Sequence, residues 1–464
     1  MNHWPVVPVI LPLIAGALLL LPASLELKRR LACVATAALV PIALGLLVGA
    51  QDGTLTVYAF GAWPPPFGIT FVVDRLAAVM VLLTAVVALP SLLYATAGED
   101  DEGRYFHALF QFQLAGLNGA FLTGDVFNLF VFFEILLIAS YALLLHGQGV
   151  ARSRAALHLV SINLVGSTLF LFAVAALYGS TGTLNMADLA RVVPQLGPES
   201  AGVARAGALL LLVVLGLKAA LLPLSFWLPQ SYSSAAASVA ALFAIMTKVG
   251  AYVIMRLYTL VFGADAGLLA NVAEPWVLPL ALATFVFAVA GMFAAATLRA
   301  MVSWLVIASV GMLLSAVGLF SEDGFTAGVY YIAHSTLATA ALFLIADLVR
   351  RQRLGSGDRL HSGEAVHQPA LLGSLFFVTA VIVVGLPPSS GFIGKILILN
   401  AALAQQLAPP VWGILLAGTL IILVGLARAG SIVFWKTDRQ APALAVAAAG
   451  PSAPLRCTVA VVWL

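Results

Sequence analysis

Apolar residues fall along this chain in blocks of bilayer length, separated by short polar connectors. A spanning helix needs about 20 mostly apolar residues. Blocks of that kind lie at 4–22, 31–49, 70–95, 106–123, 126–146, 157–178, 206–229, 234–260, 275–296, 300–319, 326–348, 369–400 and 411–434, which predicts thirteen spans. A remnant at 454–464 is too short to cross alone. No connector has room for a soluble domain. The longest are 179–205, where TGTLNMADLARVVPQL predicts a short surface helix, and the Pro-rich stretch WPPPFG at 63–68.

Two blocks are broken from within. Block 206–229 contains Pro223 and Pro229, and block 369–400 contains GLPPSSG at 385–391. A proline inside a helix frees the carbonyl four residues back; for Pro223 this is Ala219, beside Lys218. Irregular backbone at membrane depth survives only where protein or a wet cavity covers it. Each broken block carries a lysine, Lys218 before its break and Lys395 after. Paired interruptions point to a transporter built from two related halves with its site at mid-membrane. Five spans separate the breaks, and an odd offset predicts an inverted repeat.

Composition agrees with this pattern. The chain has 464 residues, 62% hydrophobic and 9% charged, against about 25% charged in soluble domains. It reads as an all-α polytopic membrane protein. A net charge of +3, with basic residues not interleaved with aromatics, argues against nucleic acid. Cys33 and Cys457 stand far apart, without a CxxC neighbour, so no disulfide framework or zinc site is expected. P-loop, GxGxxG, GxSxG and HExxH signatures are missing, and no cofactor is expected. The N-terminus lacks a basic leader region, and Lys28, Arg29 and Arg30 follow its apolar run, so it reads as a retained first span with its end outside. From that start, basic residues concentrate in alternate connectors (Lys28–Arg30, Arg104, Arg152 and Arg154, Arg299, Arg350–Arg359, Lys436), as the positive-inside rule requires. The inner connector GEDDEGR at 98–104 is acidic.

Six ionisable groups fall inside spans, where an ammonium costs at least roughly 2.5–3.5 kcal/mol. Lys218 and Lys248 are central. Lost hydration disfavours a buried charge and a neighbouring carboxylate restores it, so a Glu134–Lys218 pair that opens and closes would switch the lysine's hold on a proton. The competing reading is a static ion pair. Glu134 is alone in VFNLFVFFEILLIASYALLL and must be paired, protonated or wet. Lys395 could join the same relay or snorkel to the outer surface. His334, beside Ser335 and Thr336, suits proton relay near neutral pH or a satisfied core position. Asp347, next to Arg350 and Arg351, reads as a surface anchor. Small polar residues between them, among them Ser161, Asn163, Ser167, Ser389 and Ser390, could line a water chain or join helices.

The stretch LKAALLPLSFWLPQSYSSAAASVAALFAIMTKVGAYVIMR, with GLNGAFLTGDVFNLFVFFEILLIASYALL at 116–144 and GLPPSSGFIGKILIL at 385–399, resembles the antiporter-like membrane subunits. These are shared by respiratory complex I, membrane-bound hydrogenases and the multisubunit Mrp-type (Pha or Mnh) cation/proton antiporters. The likeness covers nearly the whole chain. It is greatest to the Mrp D-subunit family, through GDVFNLFVFFEILLIASY, PFGITFVVDRLAAVM at 66–80, and a lysine at Lys395 where one complex I subunit of this type has glutamate. The resemblance implies fourteen spans with two inverted five-helix repeats: leading helices at 1–105, repeats at 106–260 and 261–436, and a truncated or altered last helix in 437–464. It implies that Glu134 pairs with Lys218, that Lys248 joins two half-channels, and that His334 and Lys395 continue and end the route. It also implies partner subunits in a bacterial inner membrane and exchange of Na⁺ or K⁺ for protons. The alternatives are a proton-pumping subunit of a complex I-like oxidoreductase or hydrogenase, and a scaffold that only supports assembly. Three costly lysines argue against the scaffold.

Overall fold

Lack of water in the bilayer core forces every backbone N–H and C=O to pair internally, and the chain answers with helices. The structure, a computed structural model, describes residues 3–353 and 355–436. The sixteen α-helices among the described residues are α1 (Val7–Leu19), α2 (Leu25–Gly49), α3 (Arg75–Ala95), α4 (Phe106–Leu122), α5 (Val126–Leu145), α6 (Val150–Thr181), α7 (Met186–Val192), α8 (Pro198–Ala219), α9 (Trp227–Ser234), α10 (Ala237–Leu260), α11 (Glu274–Ala294), α12 (Leu298–Val317), α13 (Glu322–Gln352), α14 (Pro369–Val384), α15 (Ser390–Ala404) and α16 (Ala408–Gly430). Each of the thirteen apolar blocks holds one helix or one broken pair. Among the described residues ten helices are long and apolar enough to cross a membrane; the first block's Trp4–Leu19 and the broken pair α14 and α15 are shorter. The expected last helix in 437–464, and Cys457, lie outside the described residues.

Two departures from the sequence reading concern boundaries. The third span begins at Arg75, because Thr70–Val73 pairs antiparallel with Thr56–Ala59, Thr56 opposite Val73, as strands β2 and β1. The β-branched and aromatic residues there suit a strand. Pro229 lies inside α9, so only the Pro223 region interrupts the first broken block. The expected surface helix is present as α7, capped by Asn185 Oδ1 accepting from the N–H groups of Ala187 and Asp188.

The chain divides into two compact units, each assembled from discontinuous segments. The first contains the chain up to Leu89 and residues 100–219 and 246–275. In it, the β2 end, the 123–125 connector and the start of α7 are laced together: Gly124 N–H donates to Thr70 O and Met186 N–H to Gly124 O. Asp125 caps α5 by accepting from Asn128 N–H at 2.8 Å. This fixes the start of the helix that carries Glu134. The second unit contains residues 90–99, 220–245 and the chain from Trp276 onward. Its connector at 355–364 is held by Arg353, 0% exposed, which donates to the carbonyls of Glu364, Arg359 and His361 at 3.0–3.1 Å.

Two acids of the connector at 98–104, Glu99 and Asp100, are buried, while Asp101 and Glu102 are exposed. In the second unit Glu99 accepts from the N–H groups of Ala237 and Ser238 at 3.1 and 3.0 Å, capping α10, and from Arg351 at 3.2 Å. Asp347, expected as a surface anchor, is 1% exposed; it accepts from Tyr94, Arg350 and Arg351. Burial reverses that expectation, because a carboxylate fully supplied with donors is stable inside. In the first unit Asp100 accepts from Arg29 at 2.7 and 2.8 Å and from His107 at 2.9 Å. Burial alone would push its carboxyl up, but the bonds from Arg29 and His107 outweigh this and hold it at about 2.

A carboxyl held below its ordinary value adds stability above the unfolded pKa and loses it as pH falls through the folded one. Asp100→Asn should therefore destabilise the protein by about 2 kcal/mol at neutral pH. Thermal unfolding of the purified wild type and variant should show a gap that is full above roughly pH 5 and closes toward pH 2.

Candidate functional site

The polar machinery gathers at the two helix breaks. Helix α8 ends at Ala219, with Lys218 its penultimate residue. Ala220 takes a left-handed φ of 59° and Leu222–Pro223 is cis. Backbone freed by the break finds a partner in the second unit, where Leu222 N–H donates to Thr284 Oγ1 at 2.9 Å. At the other break α14 ends at Val384, Gly385 is left-handed at φ 72°, and α15 starts at Ser390, capped by Ser389.

In the first unit Lys218 is 7% exposed and Glu134 is half-buried. No ion pair within 4 Å joins them among the described residues. Instead Lys218 Nζ donates to Asn163 Oδ1 at 3.0 Å, and Ser167 Oγ donates to Glu134 Oε1 at 2.5 Å. Asn163 and Ser167 are four residues apart and share one face of α6. Asn163 Nδ2 is spent on Leu159 O at 2.9 Å, which turns its Oδ1 toward the lysine. The Phe133 ring lies 5.7 Å from the ammonium and supplies a cation–π contact. Thus α6 stands as a polar bridge between acid and base.

Lys248 is 0% exposed on α10. Two residues on, Gly250 lets α10 press against the end of α8: an added Cβ would stand 2.6 Å from Ala219 N and 2.8 Å from Leu215 O. On the same face, at helical spacing, Tyr252 donates to Phe121 O at 2.6 Å and accepts from Arg256, whose guanidinium also pairs with Asp74.

In the second unit Lys395 is 9% exposed. It donates to Val384 O, the carbonyl released where α14 ends, and to Thr419 Oγ1 of α16 at 3.0 Å. The lysine of one half-helix thus satisfies the backbone of the other, and snorkelling to the surface is ruled out by its burial. His334 Nδ1 lies 3.0 Å from Ser390 Oγ at the start of α15. His334 lines two cavities. One, of about 550 Å³, is bounded by Tyr330, Leu375, Val378, Thr379 and Ser390. The other, of about 20 Å³, also touches Lys395, Ser309 and Thr339. That volume is enough for a single water with polar partners.

The structure therefore gathers Glu134 and Lys218 around α6, and His334 and Lys395 around the second break. Asn163, Ser167 and Ser390 stood out in sequence only as small polar residues inside spans. Thr419, in WGILLAGTLIILVG, gave no signal beyond one hydroxyl.

Residues 123–423 match the family described as NADH:quinone oxidoreductase/Mrp antiporter, transmembrane. The chain belongs to this family. Among its relatives, the probable K(+)/H(+) antiporter D subunit of Rhizobium meliloti is 41% identical, over 94% of this chain and 87% of that protein. The Na(+)/H(+) antiporter D subunit of Alkalihalophilus pseudofirmus is 38% identical, over 95% and 88%. Among solved structures, a chain of the Mrp complex from Dietzia sp. superposes with a TM-score of 0.84 at 29% identity, covering 94% of this chain and 80% of that one.

Gly250→Ala tests the contact between the two lysine helices. The new methyl meets backbone that cannot turn aside, and overpacking of this kind costs about 1–3 kcal/mol. Thermal unfolding should register that loss, whereas Gly202→Ala in α8, whose Cβ would meet nothing within 4 Å, should raise stability by about 0.5–1 kcal/mol.

Proposed function

We propose that this chain is the D subunit of a multisubunit monovalent cation/proton antiporter in a bacterial inner membrane, and that it conducts protons. Glu134, Lys218 and Lys248 form one half-pathway and His334 and Lys395 the other. The D-subunit names of relatives matched over nearly their full length support the assembly. The observation that carries the proton role is the state of the lysines: Lys218, Lys248 and Lys395 are all buried, and two of them are held by groups that a helix break or an α6 polar face supplies.

A proton route needs groups that can alternate partners. Lys218 has Asn163 as a neutral partner and Glu134, behind Ser167, as a charged one. Moving the ammonium from the amide to the carboxylate would strengthen its hold on a proton; moving it back would weaken it. Lys395 rests on a carbonyl and a hydroxyl, both neutral acceptors, with His334 and a water-sized cavity alongside. Electrically the driving force is adequate, since one charge crossing 100 mV is worth about 2.3 kcal/mol. The two broken helices are read as equivalent elements of two inverted repeats, each bringing one lysine to mid-membrane. The exchanged cation is Na⁺ or K⁺, as in the names of the two relatives.

The family's description also covers NADH:quinone oxidoreductase, which keeps a respiratory proton-pumping subunit as the second reading. Small hydrophobic copurifying subunits favour the antiporter; flavin- and cluster-binding ones favour the oxidoreductase.

The test uses the whole complex in inverted vesicles, with cation-dependent collapse of a respiration-driven pH gradient as readout. Lys218→Ala, Glu134→Ala and Lys395→Ala should each abolish exchange while copurification of the other subunits persists. Full exchange in the assembled Lys218 and Glu134 variants would reject the pathway.

A further inference from the structure

Away from the lysine pathway, the first unit holds a cavity of about 360 Å³ between the α1–α2 turn and the start of α4. Lys28, Arg104, Asp100 and His107 line it, with Leu19, Leu20, Leu25 and Tyr105 among the apolar walls. Its charge is unbalanced. Asp100 spends both oxygens on Arg29 and His107. The nearby acids Glu26 and Glu102 are taken by Arg30 and Arg152, and Asp101 is exposed with no ion pair within 4 Å among the described residues. Lys28 and Arg104 have no ion-pair partner among the described residues; Lys28 only overlies the Tyr105 ring at 6.0 Å. His107, 3% exposed, commits Nε2 to Asp100, while its Nδ1 is buried with no hydrogen-bond partner among the described residues.

We propose that this cavity is a binding site for a phosphate-bearing anion, and that its occupant is the headgroup of an acidic phospholipid. Two cations without an ion-pair partner, Lys28 and Arg104, supply the charge and the donors that a phosphate needs. The walls favour lipid over free phosphate. The site lies where α1 ends and α2 and α4 begin, at headgroup depth, on the face that the positive-inside rule assigns to the cytoplasm. Leu20 and Tyr105 beside it are 47% and 51% exposed, and they give acyl chains an apolar surface. Basic pockets between spanning helices on that face suit acidic headgroups.

The test measures association of spin-labelled phosphatidylglycerol and phosphatidylcholine with the intact complex in phosphatidylcholine nanodiscs. Wild type should prefer phosphatidylglycerol. Lys28→Gln with Arg104→Gln should lose that preference by about fivefold per charge removed, Arg154→Gln, outside the cavity, should keep it, and Lys28→Arg with Arg104→Lys should also keep it. Inorganic phosphate is then added to wild type. No displacement of the labelled lipid supports the headgroup assignment, whereas displacement overturns it in favour of free phosphate. An unchanged preference in the Gln double variant overturns the site itself. Should that variant fail to assemble, each single Gln variant carries the same test, with a loss of about fivefold expected.

Discussion

The structure turns on the cost of keeping ammonium groups away from water in a low-dielectric core. That cost falls only if each lysine finds polar partners at its own depth, and a continuous apolar helix has none to offer. The second break supplies them for Lys395, and a neighbouring helix supplies one for Lys218. At the second, the carbonyl that α14 releases at Val384 becomes the acceptor for Lys395. At the first, Lys218 stands at the end of α8 and takes the amide of Asn163 from a neighbouring helix. For Lys395, breaking the helix and burying the lysine are therefore one arrangement, because the break releases a carbonyl that the ammonium uses.

This explains why the rest of each unit is tied so firmly at its ends. Asp125 caps the helix of Glu134, Glu99 caps the helix of Lys248, and Arg353 binds four carbonyls of its connector. Side chains on well-capped helices hold position better than those on loops. The buried acids Glu99 and Asp100 belong to this frame, and their charge is met by Arg351 and by Arg29.

The bridge through α6 changes how the acid–base pair is understood. A direct Glu134–Lys218 ion pair would be deep and stable, and a buried pair with both charges satisfied resists separation. Interposing Asn163 and Ser167 leaves the ammonium on a neutral acceptor and the carboxylate on a hydroxyl. In the second unit His334 and Lys395 share a small cavity.

Sequence alone was enough for the thirteen apolar blocks, the two breaks, and the identity of Glu134, Lys218, Lys248, His334 and Lys395 as the groups that need explaining. Hydrophobic length and a charge in an apolar run are local signals, and local signals survive in one dimension. Tertiary structure decided who meets whom. That Lys218 meets Asn163 before Glu134, that Lys395 turns to Val384 and Thr419 and away from the surface, that Asp347 and Glu99 are buried, and that Thr70–Val73 is a strand all depend on residues distant in the chain. A hydrogen bond at 3 Å is chosen by packing between helices, and no periodicity along a single helix encodes which face its neighbour will present.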